Sequence, residues 1–136
     1  MAEKAFTLEI VTPRKVVFTG DVVSFSAPGT MGGFQVLYNH APLLAEIAVG
    51  EIKIQDPQGN EFHYATSGGF VDVKQNKVVM LAETAEHSTE IDQARAEAAR
   101  ERALKRLADR SQGHDIARAQ AAFGRAVNRM KIARKV

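Results

Sequence analysis

At 136 residues the chain has room for one compact domain, or for a domain of about 85–90 residues with an appendage, and its 45% hydrophobic and 25% charged content is that of an ordinary globular protein. It has no cysteine, which excludes disulfides, thiolate metal sites and a cysteine nucleophile together. The net charge of +2 hides an asymmetry: residues 1–89 hold six Lys+Arg against ten Asp+Glu, whereas residues 90–136 hold twelve against six.

The first residues, Met1-Ala2-Glu3-Lys4-Ala5-Phe6, lack the basic-then-apolar pattern of a signal peptide, and no apolar run approaches the roughly 18 residues of a spanning helix. Membrane association is therefore expected to be peripheral, through a partner. Up to about Thr84 the hydrophobic period is two. Phe6-Thr7-Leu8-Glu9-Ile10, Glu51-Ile52-Lys53-Ile54-Gln55 and Phe70-Val71-Asp72-Val73-Lys74 all alternate. Turn signals fall between such runs, at Thr12-Pro13, Thr19-Gly20-Asp21, Ala27-Pro28-Gly29, Asp56–Asn60, Ser67-Gly68-Gly69 and Gln75-Asn76. Their close spacing, with no helical pattern between them, predicts about nine or ten short strands in two stacked sheets, a β sandwich.

At Ser88–Asp92 the period changes. Thr89, with Asp92 three residues on, is a helix-start signal. Ala96, Ala99, Ala103 and Leu107 form the stripe of a first helix, with Asp92/Arg95 and Glu101/Lys105 as surface pairs. Ser111–His114 breaks it, Gly113 suiting a left-handed cap, and Asp115 caps a second helix with the stripe Ile116, Ala119, Phe123, Val127 and Met130. The expected organisation is a β-sandwich domain over residues 1–86 followed by an α-helical hairpin over 87–136. Alanine contributes only about one methyl of burial, so an alanine-rich stripe predicts weak docking and a displaceable arm.

Enzymatic chemistry finds no foothold. His40, His63, His87 and His114 each stand more than twenty residues from the next, with no metal-ligand spacing. There is no Gly-x-Ser-x-Gly elbow, and Gly29-Thr30-Met31-Gly32-Gly33 lacks the Lys-Ser or Lys-Thr of a phosphate loop. Arg118, Arg125 and Arg129 recur along one helical face, which keeps a basic nucleic-acid-binding module as the alternative function.

Val36-Leu37-Tyr38-Asn39-His40-Ala41-Pro42-Leu43 resembles the Asn-His-Ala-Pro-Leu element of the epsilon subunits of F-type ATP synthases. Leu8–Pro13, Ala27-Pro28-Gly29, Gly32-Gly33-Phe34, Ser67–Val71 and Ile91-Asp92-Gln93-Ala94-Arg95-Ala96 follow in the order of that family. The resemblance covers essentially the whole chain. It implies a non-catalytic central-stalk subunit whose sandwich binds the gamma subunit and sits on the ring of c subunits. Asn39, His40, Ala41 and Pro42 would face the rotor. The arm would either fold down on the sandwich or extend to the catalytic beta subunits and block ATP hydrolysis. The protein would lie on the cytoplasmic face of the inner (plasma) membrane, peripherally, through the complex. No cofactor would be required, no nucleic acid bound, and ATP would be a regulatory ligand of the folded arm, held by Glu86, Ile91, Asp92, Arg95, Ala96, Arg125 and Arg129.

Spacing is compatible with that site. Asp92 and Arg95 share one side of a helical turn, where a carboxylate suits the exocyclic amine of adenine. In an antiparallel hairpin Arg125 and Arg129, four residues apart, come near the same place and can neutralise a polyphosphate. Plainer roles stand beside these: Asn39 as a turn former, Pro42 at a strand entry, Asp92 as a helix cap, and solvated arginines.

Overall fold

Alternation decides the first two-thirds of the chain. In the computed structural model, which describes residues 4–108 and 115–133, every second residue of β1 (Phe6–Val11) is buried: Phe6, Leu8 and Ile10 point inward while Thr7 is exposed. The same rule builds β2 (Val16–Val22), β3 (Ser24–Gly29), β4 (Gly32–Val36), β5 (Leu43–Ile47), β6 (Gly50–Gln55), β7 (Glu61–Lys74) and β8 (Lys77–His87). The hydrogen-bonded order is β2-β1-β8-β7-β5-β3-β4, with β6 pairing both β3 and β7. All pairings are antiparallel except β1 with β8. The core between the layers holds Leu8, Ile10, Val22, Phe25, Ile52, Ile54, Val71, Val78 and Met80, each wholly shielded from solvent.

The sandwich has eight strands rather than nine or ten, because three expected turns lie inside strands. Thr19-Gly20-Asp21 runs through β2, paired throughout with β1, and Ala27-Pro28-Gly29 forms the last three residues of β3, paired with β4. Ser67-Gly68-Gly69 bends β7 without ending it. Its first half pairs with β6 and its second with β5, and the β7–β8 register shifts at Gly68 and Gly69. Both glycines have positive φ, 124° and 150°, and a Cβ on Gly69 would collide with the Leu81 carbonyl oxygen.

The helix start also differs from the expectation. Ser88–Glu90 is a short 3-10 turn in which His87 Nδ1 accepts the Thr89 amide (3.1 Å). Asp92 is the cap of α1 (Gln93–Ala108): its Oδ1 accepts the Arg95 amide at 3.0 Å. A polar cap side chain wins this position because the first helical amides have no backbone acceptor. Glu101 pairs with Arg100 (2.9 Å), not Lys105. Asp115 caps α2 (Ile116–Ala133) as expected, Oδ1 to the Arg118 amide at 3.1 Å. The expected break at Ser111–His114 lies outside the described residues.

The α1 stripe buries Ala96 and Ala103, as expected; in α2 the deepest residues are Ala119, Ala126 and Ile132. Alanines from both helices meet at the seam, so the larger Phe123, Val127 and Met130 are only half-buried and Ala126 takes the central place. Arg100 stacks over Phe123, 5.9 Å from the ring centre, and ties the two helices together near their middles. The hairpin is folded down on the sandwich through α2, which packs on β6, β7 and the 3-10 turn. Ile132 fills a small satellite cluster with Ala65 and Ile91, and Asn128 Nδ2 donates to the Gly50 carbonyl (2.8 Å).

Candidate functional site

Where the folded arm meets the sandwich, a cleft of about 530 Å³ opens between α1, α2 and the bend shared by β7 and β8. Arg95 and Ala99 of α1 line one wall, Ala122, Arg125, Ala126 and Arg129 of α2 the second, and Ser67, Glu83, Thr84 and Glu86 of the sandwich the third. Three arginines thus line a space that two acidic residues, Glu83 and Glu86, line from the sandwich side. A small pocket of about 30 Å³, lined by Thr66, Ser67, Glu86, Arg125, Asn128 and Arg129, adjoins it.

The bend in the sheet makes this sandwich side. Gly68 faces Thr84 and Gly69 faces Ala82, so Glu83 is skipped in the ladder and bulges out. Strict alternation would send residues 83 and 86 to opposite faces. With the bulge, both carboxylates reach one cleft. Thr66 Oγ1 braces the bend by donating to the Thr84 carbonyl (2.9 Å) and accepting the Gly68 amide (3.1 Å), while the Ser67 and Thr84 hydroxyls share a hydrogen bond of 2.7 Å.

Glu86 and Arg129 form the one arm-to-sandwich ion pair among the described residues. The guanidinium donates from Nη2 to Oε2 at 3.0 Å; Nε lies 2.8 Å from Oε1 but off the line of its N–H, so that contact is charge attraction alone. Both side chains are partly shielded, at 26% and 34% exposure. Nearby, burial and then the negative charge of Glu90 push the Tyr64 phenol above its ordinary value.

Of the residues expected to hold ATP, Glu86, Arg95, Arg125 and Arg129 line the cleft together. The other three stand apart from its lining. Ile91 is buried against Ala65 and Ile132, Ala96 lies at the helix seam, and the exposed Asp92 uses Oδ1 to cap α1. The sequence reading missed Ser67, Glu83 and Thr84, whose place depends on the bulge and carries no local signal beyond the Gly68-Gly69 pair.

Asn39, His40, Ala41 and Pro42 lie together in the loop between β4 and β5. Asn39 has φ of 63° and all four are exposed or half-buried. The sequence reading also missed an apolar patch on the outer sheet face, where Phe70 of β7 faces Leu81 of β8 with Leu44 of β5 diagonally beside them, 55%, 59% and 75% exposed. The signal was present: where Val71 and Val73 point inward, Phe70 must point out. No helix among the described residues is long and apolar enough to cross a membrane.

Comparison with known proteins agrees with this architecture. Residues 5–88 match the family model "ATP synthase, Delta/Epsilon chain, beta-sandwich domain" and residues 89–134 match "ATP synthase, Delta/Epsilon chain, long alpha-helix domain". The chain is 50% identical over 111 residues to an ATP synthase epsilon chain of Pelotomaculum thermopropionicum, covering 82% of each. It is 46% identical over 112 residues to one of Syntrophomonas wolfei, again 82% of each. Against one of Salinibacter ruber it is 46% identical over 135 residues, 93% of this chain and 91% of that one. In fold it resembles a chain of the Euglena gracilis mitochondrial ATP synthase (TM-score 0.77, 22% identity, 100% of this chain and 83% of that one). It also resembles a chain from the central stalk and c-ring of the Tetrahymena thermophila mitochondrial enzyme (TM-score 0.63, 12% identity, 98% and 99%).

Proposed function

The chain belongs to the epsilon-chain family of ATP synthases, as a non-catalytic subunit, and from that premise we propose that its arm is an inhibitor of ATP hydrolysis gated by ATP. The sandwich is the anchor. Its exposed Leu44–Phe70–Leu81 face docks on the gamma subunit, since a contiguous apolar patch is retained at an interface more readily than in water. The Asn39–Pro42 loop meets the ring of c subunits, and the complex holds the protein peripherally at the cytoplasmic face of the membrane. Released from the sandwich, the arm extends and carries the basic side chains of Arg118, Arg125 and Arg129 to the catalytic beta subunits.

The observation that carries the regulatory half is the convergence of Arg95, Arg125 and Arg129 on a cleft whose floor belongs to the sandwich. A ligand seated there touches both parts and holds them together. ATP fits the polarity of the cleft. Arginines from α1 and α2 take the polyphosphate, and the carboxylates of Glu83 and Glu86 take the exocyclic amine of adenine while repelling phosphate. Bound only in the folded state, ATP at a hundred times its Kd favours that state by about 2.7 kcal/mol, comparable to the burial of one isoleucine.

Calorimetric titration of the isolated protein with ATP tests the reading. The expected result is a Kd of millimolar or below that weakens at least tenfold in Arg95→Ala and Arg125→Ala. Heat indistinguishable from dilution at several millimolar ATP would leave the arm without this ligand.

A further inference from the structure

At the far end of the sandwich two loops, distant in sequence, are locked by a reciprocal pair of hydrogen bonds. The Asn39 backbone amide donates to Asn76 Oδ1 at 2.7 Å, and Asn76 Nδ2 donates back to Asn39 Oδ1 at 3.0 Å. Both asparagines sit in the left-handed region, with φ of 63° and 57°, a conformation that asparagine tolerates better than most residues. Each therefore turns its chain and spends its side chain on the other's loop. Asn76 is itself anchored, because its carbonyl accepts the Thr7 amide (3.0 Å) at the entry of β1.

The clamp acts on an exposed loop that has little else to hold it. Within residues 37–42 the His40 amide donates to the Leu37 carbonyl at 3.2 Å, and His40 Nδ1 donates to the Ala41 carbonyl at 2.7 Å. Tyr38 is covered on one side by the Lys4 ammonium, 5.1 Å from the ring centre. Leu37 remains 51% exposed, an apolar side chain presented to whatever meets this end of the sandwich. An exposed loop of this kind samples many conformations unless a cross-tie selects one, and a binding surface populated only part of the time binds correspondingly more weakly.

We infer that Asn76 is a positioning residue for the rotor contact. Through the Asn39–Asn76 clamp, the β7–β8 turn presets the His40–Pro42 loop in the shape its partner recognises. This inference rests on the reading of that loop as the surface that meets the c-ring.

The test uses ATP synthase depleted of this subunit, reconstituted in liposomes and titrated with wild-type or variant chain. The readout is the concentration that restores ATP-driven proton pumping. Glycine keeps both left-handed turns; Asn76→Gly deletes both bonds of the clamp, whereas Asn39→Gly deletes only the one to its side chain, its backbone amide still donating to Asn76 Oδ1. The variants are these two and the double substitution, with Ala41→Glu to challenge the loop surface directly. Asn76→Gly is expected to raise the half-restoring concentration about tenfold, and Asn39→Gly by less, since it keeps one of the two bonds. The double variant should do no worse than Asn76→Gly, which already removes both bonds, and the thermal midpoint of the isolated chain should fall by no more than about 5 °C. Asn76→Asp, which keeps the acceptor for the Asn39 amide, should fall between wild type and Asn76→Gly. If Ala41→Glu pumps like wild type, the loop does not face the rotor and the underlying reading fails. If Ala41→Glu is impaired while Asn76→Gly behaves as wild type, or the double variant is worse than Asn76→Gly, the clamp is overturned alone.

Discussion

The sandwich and the arm are built from different materials. The sandwich core is filled by Leu8, Ile10, Phe25, Ile52, Ile54, Val71 and Met80, all fully buried and crossed by a continuous ladder. The arm's seam is made of Ala96, Ala103, Ala119 and Ala126, and among the described residues its hold on the sandwich includes one isoleucine, one amide hydrogen bond and one ion pair. A buried isoleucine contributes about 1.5–3 kcal/mol and a partly exposed ion pair about 1 kcal/mol or less. A single family fold thus joins a rigid anchor to an element held by an energy that one ligand can match.

Removing the arm altogether should give the largest effect. A chain ending at Ile91 keeps β8 and the cover over Ala65; it should still assemble and support ATP synthesis while relieving inhibition of hydrolysis in full. Assay of both activities in complex carrying the truncated chain decides this; retained inhibition would remove the arm from its role. Next, Ile54→Ala should destabilise the sandwich by about 2–5 kcal/mol in denaturant unfolding, since it empties a fully buried site. Ile132→Ala should leave that sandwich transition in place and instead speed limited proteolysis of the arm, roughly ten- to thirtyfold, by deleting the one large apolar side chain of α2 that faces Ala65. Smallest, Glu86→Gln should loosen the arm by about 1 kcal/mol or less, seen as a slight rise in the same cleavage rate. Were Ile132→Ala to lower the sandwich transition as much as Ile54→Ala does, the two regions would be one cooperative unit.

Legibility in the sequence divides along the same line. Alternation located β1, β6 and the second half of β7, because one buried face imposes period two. It overcounted strands because a lone Gly20 or Pro28 reads as a turn, although neighbours paired on both sides keep the strand running. The α1 stripe was visible, whereas in α2 the eye goes to Phe123 and Val127 while close helix approach selects Ala126. Arg95, Arg125 and Arg129 were named by the family resemblance, with which their helical spacing agrees. Glu83 was not, since only the register shift brings it beside Glu86. Nor was the partner of Asn39, for nothing local tells that Asn76, 37 residues on, reaches back to it.

Native-state hydrogen exchange on the isolated protein, with and without ATP, bears most directly on the claim that the arm opens separately and that ATP holds it closed. Without ATP, amides of α1 and α2 should exchange through a local opening, well ahead of those in β1, β7 and β8, which wait for global unfolding. ATP at a hundred times its Kd should slow exchange in the helices about a hundredfold and leave the sandwich amides unchanged. A single shared exchange rate for helices and strands, or helix exchange indifferent to ATP, would contradict it.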